Sequence, residues 1–481
     1  MIESANLKKV AVKGLFWSAM ERFGAQGIQF IFGIMITRIL MPEDYGLLGM
    51  ILIFMAVGQT LIDSGFGSAL IWKKAPSEND YSTVFFFNIS ISVVLYAVFF
   101  FIAPLISRFY SEPLLINLIR VICLNFIFLS FSLIQQTILQ KKVDFKLLAW
   151  INITGSLLAG IIALVMAMRG FGVWALVWQI LIKSLVTSAL LWVFNKWRPL
   201  MEFSWLSLKE LFNYGAKLTG AGLIYTIFQY FYNNVIGKLF TVEALGFYTK
   251  AVQLQEFPVK TIGSVFQRVA FPVFATIQDE NERLKNAVGK TLRTMAFINF
   301  PIMIGLIAVA DNLIVALLTE KWLPASGYFK LLCLIGLFYS FHVVFGEILK
   351  TKGKSNWILN LEIISKTIMV INIIVTWRWG ITAIILGQMV VVIVTHLIDS
   401  WYIWKLVGYS LWLQVKDVFV YFAISVVMYL LVVAVSHFIG NPVVSLIVTS
   451  IAGAAFYVIA ATVLKLEEIK EMKIIFEKVF R

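Results

Sequence analysis

Residues 37–50 read TRILMPEDYGLLGM, and residues 237–250 read GKLFTVEALGFYTK. The two stretches align at an offset of 200, with Arg38 opposite Lys238, Glu43 opposite Glu243 and Gly46 opposite Gly246. Each is a small polar corner between long apolar runs. A cation is favoured where a helix ends and an anion where one starts. Pro42 suits the first position of the second helix. The pattern predicts a helical hairpin, made twice.

The corners lie in an apolar chain. Hydrophobic residues make up 60% of the 481 and charged residues 14%, against roughly 25% in soluble domains. Mean hydropathy is +0.89. These values predict an all-α polytopic membrane protein. Cys123 and Cys333 both lie in apolar runs and suggest neither a metal site nor a disulfide framework. The first apolar run, from near Gly14, is too long for a signal-peptide core and is expected to stay as a span. The net charge of +14 does not point to nucleic acid, because the basic residues are scattered through short loops.

A span needs about 20 apolar residues. Fourteen candidates can be drawn, beginning with 14–40 and 45–71 and ending with 416–438 and 442–464. With the N-terminus inside, the inner connections hold clusters such as Lys8, Lys9 and Lys13, then Lys141, Lys142 and Lys146, then Lys350, Lys352 and Lys354. The outer connections hold only Arg38, Arg108, Arg169, Lys238, Lys321 and Arg378. This alternation follows the positive-inside rule and predicts fourteen spans with both termini in the cytoplasm.

The repeat continues beyond the corner. IRVICLNFIFLSFSLIQQTIL from Ile119 matches FKLLCLIGLFYSFHVVFGEIL from Phe329, including Cys123 with Cys333 and Ser130 with Ser340. The repeating unit is about six spans. Six is even, so both copies point the same way, and an axis along the membrane normal should relate them. The expected division is an N-terminal lobe at 1–200, a C-terminal lobe at 201–405, and accessory helices 13 and 14 with a basic tail at 406–481. Two facing bundles make a cleft, the architecture of alternating access.

Polar residues inside spans mark a cavity or a partner. In span 1, Ser18, Arg22, Gln26, Gln29, Gly33 and Thr37 fall on one helix face. Span 7 repeats this with Lys217, Tyr225 and Gln229, and span 8 with Glu256, Lys260 and Gln267 beside Arg268. Span 2 carries Gln59 and Asp63, span 6 Gln179 and Lys183, span 11 Glu362 and Lys366. The candidate substrate cavity is therefore Arg22, Gln26, Gln29, Lys183, Lys217, Tyr225, Gln229, Lys260, Arg268 and Lys366. Asp63, Glu256 and Arg38 are the candidate coupling or gating residues. The cleft leans basic, which suits an anionic solute such as a diphosphate or acidic sugar.

Plainer readings stand beside these. Arg22 and Lys217 also fit snorkelling to the interface, and Arg120 and Lys330 fit anchors at span ends. Glu256–Lys260 and Glu362–Lys366 also fit local ion pairs at i, i+4. Asp63, before Ser64-Gly65-Phe66-Gly67, also fits the cap of a broken helix. His396 and Asp399 share a face and fit either a proton relay or a local hydrogen bond. Trp17, Trp72, Trp197, Trp205, Trp377, Trp379, Trp401 and Trp404 lie at span ends and read as an interfacial belt. Pro258, Pro272 and Pro301 read as kinks. No nucleophile, phosphate-loop or metal-binding motif is present, so neither an enzyme nor a cofactor is expected.

The runs Arg38–Gly46 (RILMPEDYG), Asp63–Ile71 (DSGFGSALI) and Gln140–Phe145 (QKKVDF) resemble the polysaccharide-exporter and O-antigen flippase branch of the multidrug/oligosaccharidyl-lipid/polysaccharide (MOP) flippase superfamily. They are similar to colanic-acid and teichuronic-acid exporters. The resemblance extends through TVEALGFYTKA and PVFATIQDENERL in the second half. It implies a MATE/MOP-like pair of six-helix lobes plus two helices. It also implies flipping of an undecaprenyl-diphosphate-linked oligosaccharide from the inner to the outer leaflet of the cytoplasmic membrane. The bilayer and other polysaccharide-assembly membrane proteins would be its partners. Two alternatives remain. A multidrug-type antiporter would want acidic mid-membrane residues. A membrane polymerase or ligase would want a large outer loop, whereas every outer loop here is short.

Overall fold

A computed structural model describes residues 4–63 and 65–469, without the side chains of 4–16, 18, 19, 22, 23, 213, 214, 217, 265, 268, 269, 271 and 355. Among the described residues every regular element is helical. The chain divides into two compact units, Met1–Gly246 and Phe247–Arg481.

The first unit runs α1 (Ser4–Ile39), α2 (Pro42–Asp63), α3 (Phe66–Trp72), α4 (Glu78–Tyr110), α5 (Leu115–Ile122), α6 (Asn125–Lys141), α7 (Phe145–Met168), α8 (Val173–Phe194), α9 (Trp205–Gln229) and α10 (Phe231–Leu239). It ends in the first turn of α11 (Val242–Thr276). The second unit takes the rest of α11, then α12 (Asn281–Ala308), α13 (Ala310–Leu318), α14 (Ala325–Gly336), α15 (Tyr339–Thr351), α16 (Ser355–Thr376), α17 (Ile381–Val407), α18 (Leu411–His437) and α19 (Pro442–Val463).

Among the described residues eleven helices are long and apolar enough to cross a membrane, so the chain is a multi-pass membrane protein. The expected fourteen is not reached by that measure. Helices α1, α9 and α11 are of spanning length, at 36, 25 and 35 residues, but are not among the eleven. They are the helices of spans 1, 7 and 8, whose polar stripes lower their hydropathy.

Both corners form as expected, and with the same spacing. Helix α1 ends at Ile39 and α2 starts at Pro42; α10 ends at Leu239 and α11 starts at Val242. Arg38 and Lys238 lie in last turns, and Glu43, Asp44 and Glu243 in first turns. The Asp44 carboxylate accepts from Met41 N–H at 2.9 Å, which ties down one free donor of the new helix end. The two corners also touch. A Cβ on Gly46 would overlap the Val242 carbonyl, and one on Gly246 would overlap the Pro42 carbonyl. Each glycine thus makes room for the first helical residue of the other corner.

Small residues set the remaining approaches, as is usual between helices in lipid. In the first unit Gly160 of α7 faces the Phe32 ring of α1, and Asn152 donates to Glu21 at 2.6 Å. In the second, Tyr457 of α19 donates to the Phe297 carbonyl of α12 at 2.9 Å. Arg293 of α12 pairs with Asp417 of α18 at 3.1 Å. The C-terminal pair therefore packs on α12.

Among the described residues five expected spans are broken, the first being span 2, between α2 and α3. Span 7 breaks at Tyr230 between α9 and α10, and span 9 at Val309. Span 4 breaks at Cys123–Leu124 and its repeat partner, span 10, at Leu337–Phe338. A break in a helix frees backbone groups that need partners. At the last one, Asn299 of α12 donates to the carbonyls of Gly336 and Leu337, at 3.0 and 3.5 Å.

Trp197 departs from the interfacial belt expected for it. It is buried, packs edge-on to Tyr81 and Phe85, and donates its indole N–H to Glu78 at 2.7 Å. The loop after α8 folds back over the start of α4, so this tryptophan joins a core. Trp72, Trp205 and Trp379 are exposed, as expected.

Candidate functional site

In the first unit a cavity of about 460 Å³ opens between α2, α3, α6 and the end of α9. Helix α2 supplies Gln59, Thr60 and Asp63, and α6 supplies Gln136, Thr137 and Gln140. Thr226 and Gln229 come from the last turn of α9, and Tyr230 from the break that follows it in span 7. Glutamine and acid stand at i, i+4 on α2, and two glutamines do so on α6, so each pair shares one face. The Thr60 and Thr226 hydroxyls bond to each other at 3.1 Å and tie α2 to α9.

Helix α2 stops at Asp63, and α3 starts after Gly65, which takes a left-handed φ of 64°. That conformation suits glycine, and the Gly215 carbonyl lies close enough to leave little room for a side chain. No side chain caps α3, so Asp63 does not take the capping role open to it. Asp63, Gln59, Gln136, Gln140 and Gln229 have no hydrogen-bond or ionic partner among the described residues. No lysine or arginine lines the cavity among the described residues.

In the second unit a cavity of about 320 Å³ lies between α11, α14, α15, α16 and α17. Its polar wall includes Glu256, Lys260, His342, His396 and Asp399. Lys260 and Glu256 pair at 2.7 Å, as their plainer reading expected. The His396 ring lies 4.5 Å from the Phe341 ring and stacks on Phe345 at 5.8 Å. A larger groove of about 710 Å³ between α12, α18 and α19 is almost wholly apolar, lined by residues such as Phe297, Leu306, Met428 and Val458.

The sequence-predicted site residues scatter over these features. Gln229 and Asp63 line the first cavity, and Glu256 and Lys260 the second. Lys366 pairs with Glu362 at 3.2 Å. Gln26 is half-buried on α1, while Gln29 and Tyr225 are exposed. Lys183 is half-buried on α8 with no partner among the described residues. Arg38 is exposed at its corner. The side chains of Arg22, Lys217 and Arg268 lie outside the described residues. Lys330, expected as an anchor, pairs with Asp311 at 2.7 Å, and Arg120 lies over the Phe100 ring at 4.2 Å.

Sequence reading missed Gln136 and Gln140. Their signal was present as QQTILQ inside an apolar span.

A family pattern described as "Polysaccharide biosynthesis protein" matches residues 35–327. The teichuronic acid biosynthesis protein TuaB of Bacillus subtilis (strain 168) is 30% identical over 301 residues, 62% of each chain. That match thus spans less than two thirds of its length. The lipopolysaccharide biosynthesis protein WzxC of Escherichia coli (strain K12) is 26% identical over 401 residues, 82% of this chain and 81% of that one. The fold matches that of the lipid II flippase MurJ in an inward closed conformation, with a TM-score of 0.77 at 15% identity, over 95% of this chain and all of that one. The chain therefore belongs to the polysaccharide biosynthesis protein family, and its helical fold is like that of MurJ.

Proposed function

We propose that the protein is a flippase that moves a polyprenyl-diphosphate-linked oligosaccharide across the membrane by alternating access. The observation that carries this reading is a water-accessible polar cavity built from membrane-spanning helices in a chain of this family. Unpaired polar groups at membrane depth are costly and are kept where a polar solute passes. The apolar groove of the second unit offers a surface suited to a hydrocarbon chain. Relatives named for teichuronic acid and lipopolysaccharide biosynthesis, and a structural neighbour named a lipid II flippase, support a lipid-linked glycan as cargo.

The basic loops support a cytoplasmic membrane location with both termini inside. The two lobes at 1–200 and 201–405 would carry the motion, and Arg22, Lys183, Lys217 and Arg268 would draw the diphosphate. Glu256, with the second cavity around it, is the place to seek coupling to an ion gradient. In the native host, deleting the gene should trap lipid-linked oligosaccharide where only cytoplasmic-side reagents reach it. Oligosaccharide that still reached the outer leaflet at the normal rate, with no second flippase present, would refute the reading. A combined Arg22→Ala and Lys183→Ala variant at normal abundance should lower surface polysaccharide; unchanged levels would remove these two from the mechanism.

A further inference from the structure

We infer that the cavity of the first unit is a subsite for a neutral or amino sugar of the cargo, and that Asp63 bars acidic sugars from it. The inference rests on the flippase reading for its cargo, and on the cavity alone for its chemistry.

The expected cleft was basic and suited to anions. The cavity observed is of another kind. Its polar wall is made of carboxamides, hydroxyls and one carboxylate, with no lysine or arginine among the described residues. Gln59, Gln136, Gln140 and Gln229 reach it from three helices, and none spends its amide on a protein partner among the described residues. A carboxamide offers both an acceptor and donors. A sugar hydroxyl needs both, so four such groups around one space match a polyol. Asp63, likewise without a partner among the described residues, accepts from a pair of hydroxyls or pairs with an amino sugar's ammonium.

Size argues the same way. The space of about 460 Å³ falls in the range of small-molecule sites, about 300–1,000 Å³. A bare monovalent cation would leave most of it empty. An acidic sugar would fit by size, but would set its carboxylate beside Asp63, and like charges brought together in a confined site repel strongly.

The test uses the full-length protein in proteoliposomes with two probes. Both are polyprenyl-diphosphate disaccharides, one of neutral hexoses and one ending in a hexuronic acid. Wild type should move the neutral probe at least about 10-fold faster, and Asp63→Asn should cut that preference to within about 3-fold. If Asp63→Asn fails to fold, Gln136→Glu serves instead and should widen the preference. Equal rates in wild type, or an unchanged ratio in the variant, would overturn the proposal. So would a variant that lost only its response to a proton or sodium gradient, which would make Asp63 a coupling group. Binding of the free disaccharides, read by saturation-transfer NMR, separates the two readings. If wild type moves neither probe yet binds the neutral disaccharide at an Asp63-dependent ratio, the flippase reading fails and the subsite stands. If it flips both probes alike and binds neither disaccharide selectively, the subsite fails and the flippase reading stands.

Discussion

Gly46 and Gly246 show how one residue type sets a whole joint. Each abuts a main-chain carbonyl of the opposite corner, so a methyl group there must push backbone, not a flexible side chain. Gly46→Ala or Gly246→Ala should therefore destabilise the protein by about 1–3 kcal/mol, the usual range for overpacking. A Cβ added to Gly27, on α1, would meet nothing within 4 Å, so Gly27→Ala should be neutral or gain about 0.5–1 kcal/mol. Thermal melts in detergent compare the three, and equal effects would show that the corner contact is not made. The glycines were legible in the sequence because they sat at matching places in a repeated corner. Their contact with each other was not, because no spacing reports which two corners meet.

Charge offers a second check at this scale. Asp311 lies just past the spanning helix Asn281–Ala308. Burial raises its carboxyl, but the Lys330 ammonium and Ser326 hydroxyl outweigh it and hold the group below its ordinary range. A lowered folded-state value gives stability that is present above the unfolded value of 3.8 and is lost as pH falls through the lower folded value. Asp311→Asn should remove that acid-side loss and cost no more than about 1 kcal/mol at neutral pH, because the pair is part exposed. Melting temperature followed from neutral pH to about pH 3 reads it, and an unchanged slope would show that the pair contributes nothing.

At the scale of elements, the helices themselves were legible and their interruptions were not. Apolar length and polar stripes place the spans. The breaks at Cys123–Leu124, Val309 and Leu337–Phe338 carry no proline or glycine at the break itself to announce them. At Leu337–Phe338 a tertiary partner meets the freed backbone. Asn299 does this for α14, and it is buried. Asn299→Leu should strand the Gly336 and Leu337 carbonyls and cost about 1–3 kcal/mol. Hydrogen exchange should then rise locally around residues 336–341. Protection equal to wild type would mean that the break is held by something else. Prolines behaved in the opposite way, since α11 runs unbroken as helix through Pro258 and Pro272.

At the scale of the molecule, three of the fourteen expected spans fall outside the strict apolar measure, and these are the helices with polar stripes. Polar residues lower a helix's mean hydropathy, so that measure undercounts the spans that carry polar stripes. The candidate site was half legible for a related reason. Asp63 and Gln229 stood out on their stripes, whereas Gln136 and Gln140 became visible only when α6 was seen beside α2. The proposed activity is movement of a lipid-linked glycan between leaflets. Its most direct test is purified protein in liposomes holding a fluorescent polyprenyl-diphosphate oligosaccharide, with an impermeant quencher outside. Label initially protected in the inner leaflet should become quenchable in protein-containing vesicles at a rate well above that in protein-free ones. Equal rates in the two, with a cationic dye transported instead, would contradict the account.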